Sequence, residues 1–268
     1  MSSWAPVSPC TTDCVSHAAP PVPLPVAAHR LSSVTRGVAR AFLLGERLAD
    51  PAERRAVAGS VLDALGVRLD VVGDGLAVPG SPGTLVVANH ISWLDVLVLQ
   101  AVEPVTMLAK REISRWPLIS VLARRAGTRF IDRENLYALP RTVGALTELL
   151  KNGAPVMAFP EGTTWCSTPG GPFRRAVFQA ALDAQAPIRP VTLTYLQHDA
   201  PTTVAAYVGA DTFAASFRRV LTADALTVRL TLHPPIHPVP GVDDRRALTE
   251  KARSALAAGA SPGHRVVR

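Results

Sequence analysis

The sequence predicts an α/β domain whose sheet is mixed but largely parallel, with helices flanking it. Three observations point there. Short strand patterns alternate with longer helical ones from about residue 67 to residue 258, the order expected of βαβ units. Two of the strands, TLVVA (84–88) and PVMAF (155–159), are apolar without alternation, as strands covered on both faces are. Both end in polar clusters, Asn89-His90 and Pro160-Glu161-Gly162-Thr163, and open α/β sheets take their ligands beyond the carboxyl ends of strands.

The 268 residues suit one domain better than two, and 48% hydrophobic against 18% charged residues is enough to bury a sizeable core. Residues 1–30 are expected to be a flexible Pro-rich tail. They lack a basic n-region, and proline interrupts AAPPVPLPVAA repeatedly, so no signal peptide is read there. The folded domain is expected over 31–258, with a loose end at 259–268.

The first helix spans the run LSSVTRGVARAFLLGERLAD. Val34, Val38, Phe42 and Leu43 are expected on one face, with Arg36, Arg40 and Arg47 largely elsewhere. Such a helix is either packed on the core or laid on an anionic lipid surface. Asp50-Pro51 supplies a cap and a first-turn proline for a second helix reaching about Leu65. Strands follow at VRLDVV and TLVVA, a helix from about Trp93, a strand at VTMLA and a helix across WPLISVLARRA. Next come the strand TRFI, a helix from Ala138 to Leu150, PVMAF, and a helix in FRRAVFQAALDA. IRPVTLTY, TVAAYV and LTVRLTL are expected strands, and a last helix begins near Asp243.

A formal charge of +7 and a pI near 10.0 favour partners that carry phosphate. Lysine occurs only at Lys110, Lys151 and Lys251, aromatics make up 5%, and no basic run is interleaved with stacking residues, so no nucleic-acid partner is expected. No stretch reaches the roughly 18 apolar residues of a membrane span, which restricts any membrane contact to the surface. Cys10, Cys14 and Cys166 are odd in number and form no C-x-x-C pair. Neither a disulfide framework nor a metal site is expected of them, and Cys166 reads as structural or incidental.

Within VVANHISWLDVLVL (86–99), Ser92-Trp93-Leu94-Asp95 matches a capping box with Ser92 as N-cap. That accounts for Ser92 and Asp95 but not for His90. If the helix starts at Ser92, His90 lies in the turn ahead of it. Asp95 can then reach an imidazole nitrogen, the base-and-orienter arrangement of hydrolase triads. On spacing alone, cap and catalytic pair both stand. Gly162 and Thr163, in a turn after a strand, could donate backbone N–H groups to an oxyanion, or Gly162 could be an ordinary turn glycine.

NHISWLD resembles the N-H-x-S-x-x-D signature of the glycerolipid acyltransferases, the family of the 1-acylglycerol-3-phosphate acyltransferases. KREISRWPLISVLARRAGTRFIDR (110–133) resembles that family's second block, FPEGTT (159–164) its third, and Pro190-Val191 its short fourth; the motif core spans 83–191. The resemblance implies a glycerol-3-phosphate acyltransferase-like fold, His90 as general base and Asp95 as its orienting partner. It also implies Lys110 and Arg133 on substrate phosphate and Glu161 lining the acceptor site.

The implied reaction moves an acyl chain from acyl-CoA or acyl carrier protein to the free hydroxyl of a lysolipid. The implied acceptor is 1-acylglycerol-3-phosphate, giving phosphatidic acid. No metal or other cofactor is implied, and the expected location is the cytoplasmic face of the cell membrane, held peripherally. Between Lys110 and Arg133, seven basic residues stand against Glu112 and Asp132, a charge that would attract phosphate.

The pattern departs from the family at Thr164, where many members that take lysophosphatidic acid have Arg, and at Phe173-Arg174-Arg175-Ala176, where they have F-K-K-G. F-P-E-G-T-T followed by F-R-x-A resembles instead the branch that acylates lyso-ornithine lipid, although Arg174 or Arg175 could restore a phosphate contact. Two other readings are a non-catalytic binder of anionic lipid and a thioester hydrolase.

Overall fold

The computed structural model describes residues 7–131, 136–168 and 170–259, without the side chains of Arg115 and Leu136. The described strands are β1 (Arg68–Val72), β2 (Leu85–Ala88), β3 (Thr106–Lys110), β4 (Arg129–Ile131), β5 (Val156–Ala158), β6 (Ile188–Gln197), β7 (Ala200–Pro201) and β8 (Leu226–Leu232). The helices are α1 (Leu24–Leu44), α2 (Pro51–Leu65), α3 (Leu94–Val102), α4 (Pro117–Arg125), α5 (Leu139–Lys151), α6 (Ala176–Ala184), α7 (Phe213–Thr222) and α8 (Arg245–Ala258).

The strands form one sheet in the order β1-β8-β6-β2-β5-β3-β4, with β7 paired to β6. β2 is parallel to both neighbours, β5 and β6, and β3 is parallel to β4 and β5. β8 runs antiparallel to β6 and parallel to β1. The sheet is therefore mixed and mostly parallel, as expected. Its centre is the apolar β2, every residue of which is buried. Alternate residues of this strand serve two cores. Val86 and Ala88 pack with α2, α3 and the inner face of β8, whereas Leu85 and Val87 pack with α5, α6 and α8.

Asp50 caps α2 as expected. Its Oδ1 accepts from the N–H groups of Ala52 and Glu53 at 2.8 and 3.2 Å. Gly66 ends the helix in the left-handed region at φ 71°. The segment ahead of it differs from the expected loose tail. α1 begins at Leu24, and the residues before it lie along the domain: Ser16 N–H donates to Thr203 Oγ1, Ala18 N–H to Gln197 Oε1 and Val22 N–H to the Thr222 carbonyl. Within α1, Val34 is buried and Val38 and Phe42 are half-buried, but Leu43 is 88% exposed. Nine residues beyond Val34, it lies half a turn away from the core face.

TVAAYV (203–208) is not a strand. Its side chains are nearly all buried, but its backbone pairs with turns and side chains. Ala206 N–H donates to the Thr203 carbonyl, Tyr207 N–H to Ile91 O, and the Arg219 guanidinium to the carbonyls of Val204 and Ala206. An apolar run reports burial, and here burial comes without a ladder. The sequence reading also passed over α7, whose start is marked by Thr212, with Oγ1 accepting from Ala215 N–H at 3.2 Å.

Candidate active site

The parallel register of the two central strands places the polar clusters side by side. Val87 of β2 pairs with Ala158 of β5, so His90 and Glu161, each three residues further on, leave the sheet at the same level. His90 N–H donates to Glu161 Oε2 at 2.8 Å. On the other flank Asn89 joins β2 to β6: Leu193 N–H donates to Asn89 Oδ1, and Asn89 Nδ2 donates to the Leu193 carbonyl and to Thr168 Oγ1.

The turn from His90 to Trp93 then delivers α3, which begins at Leu94. Ser92 Oγ accepts from Leu94 N–H at 3.3 Å, while Asp95 Oδ2 accepts from the N–H groups of Ile91 and Ser92 at 2.8 and 2.9 Å. Asp95 thus supplies its half of the expected capping box. Ser92 Oγ, however, meets the N–H of Leu94 while the Asp95 N–H goes to the Ser92 carbonyl, and the N-cap position falls to Trp93 instead of Ser92. Asp95 Oδ2 also lies 2.8 Å from His90 Nδ1. Cap and imidazole contact thus coexist in one carboxylate. Tyr195 of β6 completes the set, donating its hydroxyl to Asp95 Oδ1 at 2.6 Å. Burial, and then the adjacent Asp95 charge, push the Tyr195 phenol well above its ordinary range, so it remains a neutral donor. With Asp95 acting as acceptor to two backbone N–H groups and a phenol, Nδ1 is the donor and Nε2 is left as the acceptor.

Asp95 has no exposed side-chain surface, whereas His90 retains 21%. The imidazole stacks on Phe159 with ring centres 3.9 Å apart, and the His90 backbone carbonyl accepts from Trp165 N–H at 2.8 Å. Ring and backbone of His90 are thereby held by residues on either side of the second polar cluster. Glu161 is 4% exposed. Burial raises its carboxyl to about 8, helped by the Asp95 charge and opposed by N–H donors from His90 and Gly170, so near neutral pH it is mostly protonated. A side chain at Gly170 would collide with Glu161 and the Trp165 ring.

Gly162 sits at φ 77° with its N–H donating to the Phe159 carbonyl at 3.1 Å, a turn that requires the left-handed region. Thr163 follows half-buried in the same turn. The Thr164 hydroxyl donates to the Tyr207 carbonyl. Arg174 is exposed ahead of α6, with its N–H donating to Pro160 O at 2.8 Å. Lys110 is exposed at the carboxyl end of β3, on the same edge of the sheet as His90 but beyond β5. Arg133 lies outside the described residues.

Sequence reasoning missed Tyr195 and Asn89 as supports. Tyr195 lies 100 residues from Asp95, so no local signal marks it; Asn89 opens the NHISWLD run itself, but its partner Leu193 is 104 residues away. It also treated the cysteines as unrelated. The structure gathers all three, with Cys10 Sγ 3.3 Å from Cys166 Sγ.

A family model described as Acyltransferase matches residues 71–194, which include both polar clusters and most of β6. The chain is 33% identical over 199 residues to the 1-acyl-sn-glycerol-3-phosphate acyltransferase of Neisseria meningitidis serogroup B, covering 74% of this chain and 76% of that protein. It is 35% identical over 171 residues to the lyso-ornithine lipid O-acyltransferase of Pseudomonas aeruginosa, covering 63% and 65%. The crystal structure of the 1-acyl-sn-glycerophosphate acyltransferase PlsC from Thermotoga maritima superposes with a TM-score of 0.62 over 88% of this chain and 93% of that one. At 19% identity that is a likeness of fold.

An α/β sheet with an oriented imidazole at its strand ends is thus accompanied by acyltransferase relatives. The chain belongs to the acyltransferase family, in the group that contains the 1-acylglycerol-3-phosphate acyltransferases, and is an O-acyltransferase.

Proposed function

We propose that this enzyme transfers a fatty acyl chain from an acyl-CoA or acyl carrier protein thioester to the free hydroxyl of a lysolipid, with His90 as general base. The observation that carries the reading is the 2.8 Å contact between His90 Nδ1 and an Asp95 carboxylate locked by Ile91, Ser92 and Tyr195. His90 Nε2 takes the hydroxyl proton as the oxygen attacks the thioester carbonyl. Asp95 stabilises the imidazolium, and the tetrahedral intermediate collapses as the thiolate leaves with that proton. Base assistance of this kind contributes about 10²–10⁴-fold. The Gly162 N–H is given to the Phe159 carbonyl, and the N–H of Thr163, two residues beyond the Glu161 that accepts from His90 N–H, is the donor proposed for the oxyanion.

The proposed acceptor is 1-acylglycerol-3-phosphate, with Lys110, Arg133 and Arg174 as the cations for substrate phosphate and Glu161 at the acceptor side. Acting on such a substrate, the enzyme would sit peripherally on the cytoplasmic face of the membrane. A second reading, lyso-ornithine lipid as acceptor, is favoured by one observation. Thr164 stands where the phosphate-binding Arg is expected, and its hydroxyl is already engaged by Tyr207 O.

The test offers purified enzyme one acyl thioester and equal amounts of both lysolipids, following thiol release and product lipid together. The expected result is phosphatidic acid formation that His90→Ala lowers at least about 100-fold. Ornithine lipid as the dominant product would replace the acceptor. Wild-type turnover by His90→Ala would overturn the mechanism, and thiol release without product lipid would make the enzyme a hydrolase.

A further inference from the structure

The acyl-transfer chemistry makes no use of Cys10, Cys14 and Cys166, yet the fold brings them together from two distant segments. Cys10 and Cys14 flank one tight turn, ordered by Thr11, whose side chain accepts from Asp13 N–H at 3.3 Å. Cys166 comes from the loop after β5, 156 residues further along than Cys10. The three Sγ atoms lie within 4.8 Å of one another, and all three cysteines are free thiols.

These separations are those of ligands around an ion. Three thiolates about 2.3 Å from one cation stand roughly 3.8–4.0 Å apart, whether tetrahedral or trigonal. The 3.3 Å approach of Cys10 to Cys166 and the 4.8 Å upper limit bracket that value, so sulfur shifts of about 1 Å or less would complete a site. The surroundings suit a soft ion. Cys10 and Cys166 are 4% and 8% exposed in the apolar core, and half-buried Cys14 leaves an entry path. The Cys166 N–H points at Cys10 Sγ at 3.5 Å, a donor that stabilises a thiolate. Thr203 Oγ1 donates to the Cys14 carbonyl at 2.7 Å and fixes the turn independently of any ion. Among the described residues no histidine or carboxylate joins the cluster, which selects for thiophilic metals.

We propose that Cys10, Cys14 and Cys166 bind one thiophilic d¹⁰ cation, copper(I) or zinc(II), through three sulfurs. Binding moves no electrons; each thiol passes its proton to solvent as its sulfur takes the cation. The ion would clamp the N-terminal segment to the loop of Trp165, whose N–H holds the His90 carbonyl. A Cys10–Cys166 disulfide would need a two-electron oxidant and would leave the third sulfur without a role.

The test uses reduced, metal-free full-length protein. One sample is titrated with cadmium(II) as the spectroscopic substitute for zinc, another with copper(I) held by a chromophoric chelator. The expected result in at least one arm is saturation at one ion per chain. It should bring a sulfur-to-metal charge-transfer band and at least about tenfold slower alkylation of all three cysteines, read by mass spectrometry. The arm that saturates names the ion. Cys10→Ser, Cys14→Ser and Cys166→Ser should each weaken binding about 100-fold, and the alkylation readout needs only wild-type protein should a variant fail to fold. No stoichiometric uptake in either arm would overturn the site. So would uptake that leaves the three cysteines unprotected, or a reduced protein that only forms the Cys10–Cys166 disulfide on oxidation.

Discussion

Asp95 serves the helix and the imidazole at once, and that double duty sets what substitutions there should do. Asp95→Asn keeps the shape and one acceptor oxygen but offers an amide where a carboxylate now faces Nδ1, disfavouring the tautomer that leaves Nε2 basic. We expect kcat to fall about 10²–10⁴-fold. Tyr195→Phe removes only one donor to Oδ1, so it should cost about 1–2 kcal/mol of stability and a smaller loss of rate. Thiol-release kinetics beside chemical denaturation separate the two; equal losses of kcat would show that Asp95 acts only through folding.

Glu161 predicts a pH effect of definite sign. Its folded value of about 8 lies above the ordinary 4.5, so the folded protein keeps a proton that the unfolded chain releases. The stability this proton confers is complete below about pH 4.5 and is lost as pH rises through about 8. Glu161→Gln stays neutral throughout. Wild type should therefore lose stability relative to Glu161→Gln between pH 5 and 8, by at most about 1.4 kcal/mol per unit. Urea unfolding of both proteins across that range would show it; parallel curves would mean that Glu161 ionises freely.

At the level of elements, the site depends on how β2 is joined to β6. Asn89 stands where the strand ladder ends and replaces it with a pair of side-chain bonds to Leu193. Asn89→Ala would leave the Leu193 N–H and carbonyl without these partners, and about 2–3 kcal/mol of stability should go with them. Denaturation midpoints would register it, and a change under about 0.5 kcal/mol would mean that other partners replace the amide. The elements themselves were largely legible. The helix from Asp50-Pro51 declared its cap, and TLVVA and PVMAF declared burial on both faces. TVAAYV misled because it has a strand's apolarity without a strand's neighbours. Its backbone closes over the turn at Ile91 instead, and no local pattern encodes that.

Over the whole molecule, a charge of +7 accompanies exposed apolar side chains at Leu24, Val26, Leu31 and Leu43 on α1 and at Leu118 and Val121 on α4. Among the described residues no helix is long and apolar enough to cross a membrane. The proposed peripheral association is expected to appear as binding to vesicles containing anionic lipid, weakening at least tenfold between low salt and about 0.5 M. Sedimentation with vesicles checks it. Equal binding to neutral vesicles at both salts would show that apolar insertion alone is responsible.

By itself, the sequence determined the α/β alternation, the two strand exits where chemistry gathers, and the placing of Asp95 within reach of His90, with cap and catalytic pair both open. These rest on periodicity and on spacing within one turn of helix. Tertiary structure alone decided the rest. The parallel register of β2 against β5 set His90 beside Glu161. Sheet order brought Tyr195 to Asp95 from 100 residues away. Packing of the N-terminal segment carried Cys10 and Cys14 to Cys166. Each is a meeting of groups far apart along the chain, and only the sheet's order and the burial it imposes bring them within bonding distance.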